Sequence, residues 1–130
     1  MTSYYDLAAA NDRVAQLLPL LNALRDDRDV VARAQLGLDR LNGTDGDHHD
    51  EAEQGLGAVM AAVGRMEAAV RQIEAWGVTL RDVGSGLVDF PALANGRPIW
   101  LCWKLGETDI AWWHELEAGL AGRRPLIELE

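Results

Sequence analysis

The side chains that could do chemistry concentrate between Gly86 and Glu115. Four of the five tryptophans, the single cysteine and one of the three histidines lie in this segment. Carboxylate, thiolate and imidazole groups are all ligands for Zn²⁺ or a related divalent ion. If the segment folds into adjacent strands, its polar groups can converge. Residue type therefore selects the group Asp89, Cys102, Glu107, His114 and Glu115. Adjacent strands could bring Asp89 and Cys102 together with either His114 or Glu115, so these four are the candidate metal ligands.

Spacing does not support this metal hypothesis. The segment contains neither Cys-x-x-Cys nor His-Glu-x-x-His, the short-range patterns that identify many metal sites. In the conventional alternative, Cys102 is a small buried hydrophobe and His114 is hydrogen-bonded within an aromatic sheet. A thiol nucleophile would also need a base, and His114 is the only histidine in the segment. A divalent metal is therefore an alternative that the sequence does not favour.

A second group of candidate ligands is the pair His48-His49 between Asp47 and Asp50. The pair belongs to the polar, glycine-rich stretch 42–50, whose composition predicts an exposed loop. Weak metal binding is one interpretation of these residues, and a solvated loop is the favoured one.

The elements that must position the C-terminal groups read as short antiparallel strands. Alternation predicts strands over 78–83, 87–90, 99–105 and 110–115, with Pro91 ending the second. Gly84 to Gly86 form a turn, and Asn95-Gly96 predicts a two-residue hairpin because both residues tolerate positive φ. The tail 116–130 is predicted to be irregular.

Alternation also assigns side chains to faces of this sheet. Ile99, Leu101, Trp103 and Leu105 share one face, and Trp100, Cys102 and Lys104 share the other. In the next strand, Ile110, Trp112 and His114 are predicted to lie together. The four tryptophans cannot all face one way, so some are expected under the helices and some on the outer face. An exposed pair of tryptophans would mark a partner interface. We expect Trp100 and Trp113 to lie in such an interface.

Two long amphipathic helices are predicted before the sheet, over 6–41 and 50–76. Asp6 is a suitable N-cap. Pro19 should kink or restart the first helix. The second helix carries apolar residues at alternating steps of three and four, a coiled-coil-like spacing. The fold class is therefore α+β: an antiparallel helical hairpin followed by a small antiparallel sheet.

Two helices cannot bury both apolar stripes by themselves. The surplus must meet the sheet or a second subunit, so we expect a homodimer. Its interface is predicted to include Leu56, Val59, Val63, Met66 and Val70.

Composition limits the remaining classes of function. The chain has 130 residues, enough for one domain with a core. A net charge of −9 argues against partners that are nucleic acids or anionic membranes. One cysteine indicates a reducing compartment. No secretory signal peptide or membrane-spanning run is visible, so we expect a cytoplasmic protein.

Five stretches resemble one known family. They are Ala-Asn-Asp-Arg-Val-Ala-Gln-Leu-Leu-Pro-Leu-Leu (10–21), Gly-Leu-Val-Asp-Phe-Pro (86–91), Trp-Leu-Cys-Trp-Lys-Leu-Gly-Glu (100–107), Ile-Ala-Trp-Trp-His-Glu-Leu-Glu-Ala-Gly (110–119) and Ala-Gly-Arg-Arg-Pro-Leu (121–126). The chain is similar along nearly its whole length to the bacterial family catalogued as domain of unknown function 2203. The inter-helix loop departs from that family. The resemblance implies a small bacterial cytosolic protein and brings no catalytic residue.

The sequence thus leads to two functional hypotheses, and whether the protein is an enzyme stays open. The leading one is a non-enzymatic, dimeric interaction or scaffold protein. The alternative is a small metal-dependent or thiol enzyme with its site in the C-terminal Asp/Cys/His/Glu segment. A concave pocket with converging polar groups would favour the enzyme, and a flat apolar patch would favour the scaffold.

Overall fold

A computed structural model of the chain describes residues 3–42 and 49–128. Two helices packed against each other precede a five-stranded antiparallel sheet, which confirms the predicted α+β class. The helices are α1 (Leu7–Asn42) and α2 (His49–Ala75). The strands, in both chain and sheet order, are β1 (Thr79–Asp82), β2 (Leu87–Ala94), β3 (Arg97–Trp103), β4 (Trp112–His114) and β5 (Arg124–Pro125).

Helix α1 begins as predicted and runs on without the expected restart. The Asp6 carboxylate accepts a hydrogen bond from the backbone N–H of Ala9 at 2.7 Å, which makes Asp6 the N-cap. Pro19 lies inside the continuous helix. It sits on the exposed side, and so does Ala15 one turn earlier. The carbonyl that loses its partner at Pro19 can therefore be hydrated, which lowers the cost of the proline.

The two helices meet along a seam that differs from the predicted apolar stripe. In α2 the fully buried residues are Ala62, Ala69 and Ile73. Leu56 and Val63, from the predicted stripe, are 53% and 39% exposed. Two of the three buried residues are alanines, which allow the helices to approach closely, while the larger Leu56 and Val63 stay partly exposed.

One charged pair crosses the helix seam. Asp27 of α1 is buried in the seam, three residues after the buried Leu24. Its carboxylate accepts two hydrogen bonds from Arg65 of α2, at 2.8 and 3.0 Å. The apolar pattern did not indicate this position. Leu38 of α1 lies beside Gly55 of α2, so a later α1 residue meets an earlier α2 residue and the two helices run antiparallel.

The main core lies between the helices and one face of the sheet. The α1 stripe Ala10, Val14, Leu17, Leu21 and Leu24 packs with Phe90, Leu101, Trp103 and Trp113 of the sheet. We call this side of the sheet the inner face, and we call the opposite side the outer face. The predicted grouping of Ile99, Leu101 and Trp103 is confirmed. The grouping of Ile110 with Trp112 and His114 is wrong, because Ile110 precedes β4 and packs in the core.

Pro91 does not end its strand. Strand β2 continues to Ala94, and Pro91 pairs with Trp100 of β3. On the other side, the pairing with β1 stops at Asp89. The Pro91 carbonyl there accepts a hydrogen bond from the N–H of Tyr5 at 2.7 Å. Proline is tolerated because its missing N–H faces this unpaired edge.

The Asn95-Gly96 hairpin forms as predicted. Ala94 pairs with Arg97, and φ is +52° at Asn95 and +79° at Gly96. A Cβ atom added at Gly96 would meet no heavy atom within 4 Å. The requirement for glycine is therefore conformational and does not come from crowding.

Replacing Gly96 with Val should lower the free energy of unfolding by about 1–2 kcal/mol, because a β-branched residue is disfavoured at positive φ. Gly96→Asn is the matched control, since asparagine tolerates this region, and should lose clearly less. Chemical denaturation of both variants measures the difference. Equal losses for Val and Asn would refute a conformational origin.

The tail is more ordered than predicted. Residues 124–125 form β5, which pairs with β4, and short 3₁₀ turns cover Leu120–Gly122 and Leu126–Glu128. The N–H of Leu126 also donates to the carbonyl of Ala111 at 3.0 Å. The tail returns along the sheet edge, and the segment between β4 and β5 borders the outer face.

Candidate metal centre

The register of the sheet brings three of the four predicted ligands together. Asp89 of β2 lies opposite Cys102 of β3, and His114 of β4 lies opposite Trp100 of β3. Because alternate residues share a face, Asp89, Cys102 and His114 all lie on the outer face. Their residues are 1%, 1% and 3% exposed. One potential ligand atom from each lies within 4.8 Å of the other two.

Ligand-atom distances at this cluster suit a small ion. His114 Nε2 and Asp89 Oδ2 are 3.0 Å apart. Two ligands at about 2.0–2.1 Å from a tetrahedral ion are separated by roughly 3.3 Å. Small side-chain adjustments would therefore allow both atoms to bind one ion, with Cys102 as a third ligand. Within residues 3–42 and 49–128, this is the only cluster of at least three such groups.

The contacts of the two ring nitrogens of His114 show which nitrogen carries the proton when the imidazole is neutral. Nδ1 lies 2.8 Å from the backbone carbonyl oxygen of Glu115. A carbonyl only accepts, so Nδ1 carries the proton. In a neutral imidazole, Nε2 is then an acceptor facing the carboxylate of Asp89. Two acceptors at 3.0 Å require a cation between them, either a proton on Nε2 or a metal ion. This orientation, with Nδ1–H on a carbonyl, is the usual one for metal-binding histidines.

The Cys102 thiol is held in its neutral form. Burial, together with the negative charge of Asp89, raises the pKa of Cys102 to about 12. A nucleophilic or redox-active cysteine needs a lowered pKa instead. The predicted alternative of a thiol enzyme is therefore disfavoured, because without a cation Cys102 would not ionise near neutral pH.

Two buried polar atoms at this cluster have no hydrogen-bond partner. They are Asp89 Oδ1 and Arg123 Nε, and within the part of the chain that the structure describes they are the only such buried side-chain atoms. Leaving a buried polar atom unpaired costs roughly 1–3 kcal/mol. The Cys102 thiol is close to both residues, and hydrogen bonds with Asp89 and with Arg123 affect its pKa. A divalent ion would give the carboxylate a stronger partner, and a Cys102 thiolate would give Arg123 a charged acceptor.

Arg81 fixes the carboxylate of Asp89 from the other side. The pairing of β1 with β2 shifts register between Leu80 and Asp82, which leaves Arg81 as the extra residue of a bulge. Its Nε donates to Asp89 Oδ2 at 2.8 Å. Its guanidinium also lies 5.0 Å from the centre of the Trp100 ring, in a cation–π contact.

Arg123 is held beside Cys102 by Glu107. Its terminal nitrogen Nη2 donates to both carboxylate oxygens of Glu107, at 2.7 and 3.0 Å. The guanidinium also lies 5.0 Å from the Trp112 ring. The positive charge of Arg123 opposes the rise in the pKa of Cys102. Glu107 thus supports the site and is not a ligand.

A pocket of about 340 Å³ opens at the cluster. This volume lies within the range of small-molecule sites, roughly 300–1,000 Å³. The lining combines all three candidate ligands with Arg81, and its remaining wall comes from Leu87, Leu116, Glu117, Ala118 and Gly119. The segment that follows β4 therefore builds one wall of the pocket.

The remaining predicted site residues lie elsewhere. Glu115 forms an ion pair with Arg97 at 3.2 Å and does not join the cluster. His49 pairs with Glu53 at 3.3 Å. His48 and Asp47 lie outside the described residues, so that hypothesis stays a prediction.

The tryptophans divide between the two faces, as predicted. Trp103 and Trp113 are in the core, 1% and 2% exposed. Trp100 and Trp112 are half-buried on the outer face beneath arginines. We predict Trp113 at a partner interface, but its side chain packs inside the protein. Trp100 contacts Arg81 on the outer face.

Sequence reasoning missed the arginines of the site. Arg81 falls two residues after Thr79, which pairs with Asp89, so strand alternation could have placed it on the same face. Arg123 had no such signal, because its approach to Cys102 depends on how the tail folds back.

The fold and this pocket define a small α+β protein with a buried Asp/Cys/His cluster at the base of a cavity. The chain belongs to the family of uncharacterised conserved proteins DUF2203, whose model matches residues 3–126. The resemblance seen in the sequence is therefore confirmed. Comparison with curated proteins and with solved structures found no match. No helix in the described residues is long and apolar enough to cross a membrane.

Proposed function

We propose that the protein binds one divalent transition-metal ion through Asp89, Cys102 and His114 and acts as a small metal-dependent enzyme. The observation that carries the proposal is the buried approach of His114 Nε2 to Asp89 Oδ2 at 3.0 Å, with Asp89 Oδ1 unpaired. The mixed sulfur, nitrogen and oxygen ligands suit Zn²⁺ better than Mg²⁺ or Ca²⁺.

Three protein ligands are typical of catalytic zinc sites, which leave one coordination position for a water or substrate molecule. Structural sites are usually closed by a fourth protein ligand. Glu115, the fourth predicted ligand, pairs with Arg97, and the cluster borders a cavity. A bound ion would supply Lewis-acid chemistry in that cavity. Asp89 and His114 would hold it, with Arg81 and the Glu115 carbonyl orienting them.

The experiment is metal analysis of protein purified without chelator or histidine tag, with alkylation of Cys102 measured in parallel. We expect close to one metal ion per chain. We also expect slow alkylation near neutral pH after chelation, because the raised pKa keeps the thiol protonated. Protein that stays metal-free after dialysis against Zn²⁺ would contradict the proposal. Fast alkylation of the metal-free protein would instead favour the thiol enzyme.

A second proposal, homodimerisation through α2, is supported by a separate observation. Residues 55–64 read Gly-Leu-Gly-Ala-Val-Met-Ala-Ala-Val-Gly and contain no polar side chain. A helix that is apolar all round is normally buried. Here α1 covers only the side of Ala62, and Met60 is 74% exposed. Val63, Met66 and Val70 line a shallow groove of about 400 Å³.

The arrangement of this face favours a second copy of the chain as its partner. Leu56 and Val70 lie at equal distances along the helix on either side of Val63. An antiparallel contact with its twofold axis near Val63 would therefore set Leu56 against the partner's Val70, as an isologous interface requires. The predicted interface residues Val59 and Met66 are half-buried beside α1 and would border this contact. A dimeric scaffold role is compatible with the metal site, because the two lie on different elements.

A further inference from the structure

Arg81 holds more hydrogen-bonding capacity than its contacts use. Its Nε donates to Asp89, and no other hydrogen bond of its guanidinium occurs among the described residues. The two terminal nitrogens therefore offer up to four N–H donors. The side chain is 42% exposed and lines the pocket. Stacking on Trp100 restricts its movement, so the donors are already positioned.

Charge at the site favours a negative ligand. With a divalent ion bound, the carboxylate of Asp89 and a thiolate of Cys102 would together cancel its two positive charges. Arg123 is neutralised by Glu107, with which it forms a two-oxygen ion pair. Arg81 and Glu117 are the remaining charged groups of the pocket lining, and no ion pair joins them among the described residues. The guanidinium of Arg81 can therefore attract an anion locally, beside a partly enclosed cavity where attraction is stronger than in bulk water.

We propose that the pocket binds a small molecule through a single oxyanion group, a carboxylate or a phosphate, held by the terminal nitrogens of Arg81. This inference rests on the proposed metal site. Arginine binds such groups with two parallel hydrogen bonds, because its planar fork matches their oxygens. The 340 Å³ cavity limits the ligand to a small molecule. Glu117 also lines the pocket, and its negative charge disfavours a second anionic group.

The test is titration of the Zn²⁺-loaded protein with acetate and, separately, with inorganic phosphate. Two-dimensional ¹⁵N NMR follows the Nε–H signal of Arg81 and the indole N–H of Trp100. We expect both signals to shift and saturate with at least one of the two anions. A response to acetate would indicate a carboxylate ligand, and a response to inorganic phosphate would indicate a phosphate ligand. The backbone N–H of Gly119, which lines the pocket, is followed as well and reports anion binding in variants that lack Arg81.

Substitutions make the assignment specific. Arg81→Gln should weaken anion binding by about tenfold or more, because it loses charge-assisted hydrogen bonds. Arg81→Lys keeps the charge without the fork and should be intermediate. Arg97→Gln is the matched control, since Arg97 lies outside the pocket lining and pairs with Glu115, and should bind like the wild type. Metal content and circular dichroism are measured for each variant, because Arg81 also holds the ligand Asp89.

The outcomes separate this inference from the proposed function. Zn²⁺ binding without any anion-dependent shift would overturn the inference and leave the metal site intact. Equal anion affinities in the wild type and in a folded, metal-loaded Arg81→Gln would also overturn it. Failure of the wild type to bind Zn²⁺ would overturn the proposed function, and with it this inference.

Discussion

Replacing Cys102 with Ser should reduce the affinity for Zn²⁺ by at least about 100-fold, more than loss of an outer-shell contact typically costs. Serine is close in size to cysteine but supplies no thiolate. Cys102 is 1% exposed and is the second-last residue of β3, and the nearly isosteric change should preserve the fold. Competition titration with a chromophoric chelator measures the affinity. His114→Ala should have an effect of similar size.

Glu115→Gln provides the matched control for this prediction. Residue type nominated Glu115 as a ligand, whereas the structure pairs it with Arg97. Its side chain pairs with Arg97 and contacts no proposed ligand. Its substitution should therefore leave the affinity within about threefold, since substitutions away from a site usually change a free energy by no more than about 0.5 kcal/mol. A loss in Glu115→Gln as large as in Cys102→Ser would contradict the three-ligand assignment. Affinity should also fall as pH is lowered, since metal binding displaces the thiol proton.

Val63→Asp should convert the proposed dimer into a monomer. Val63 is 39% exposed in the isolated chain, so a carboxylate there is solvated in the monomer and the fold should survive. At a twofold axis the two introduced carboxylates would face each other inside an apolar contact. An unpaired buried charge costs several kcal/mol, and about 3 kcal/mol corresponds to a loss in affinity of roughly 100-fold. Sedimentation equilibrium measures the change.

Gln54→Asp is the control for charge alone, because Gln54 is an exposed α2 residue outside the apolar stripe. It adds the same charge to the same helix and should leave the dimer unchanged. Circular dichroism checks that both variants keep their helices. A wild-type protein that is monomeric at high micromolar concentration would refute the dimer. Equal dimerisation in Val63→Asp would place any interface elsewhere.

Local patterns in the sequence determined the elements of this protein well. Asp6 caps the first helix, and Asn95-Gly96 forms the hairpin turn with both residues at positive φ. These features were predictable because capping and turn formation depend on residues only a few positions apart. Alternation similarly placed Trp103 in the core and Trp100 on the outer face. Pro91 misled the prediction, because its tolerance depends on the strand edge being unpaired there.

Residue types alone also nominated Asp89, Cys102 and His114, but only the tertiary structure selected them over Glu115. That choice depends on the register of three strands, which brings together residues separated by 13 and 12 positions. Arg123 joins the site through the returning tail, which no local spacing encodes, whereas alternation from Thr79 could have placed Arg81 on the outer face. The seam of α2 was likewise decided by packing. Small residues let the helices approach, so Ala62 and Ala69 are buried while Met60 is left at the surface.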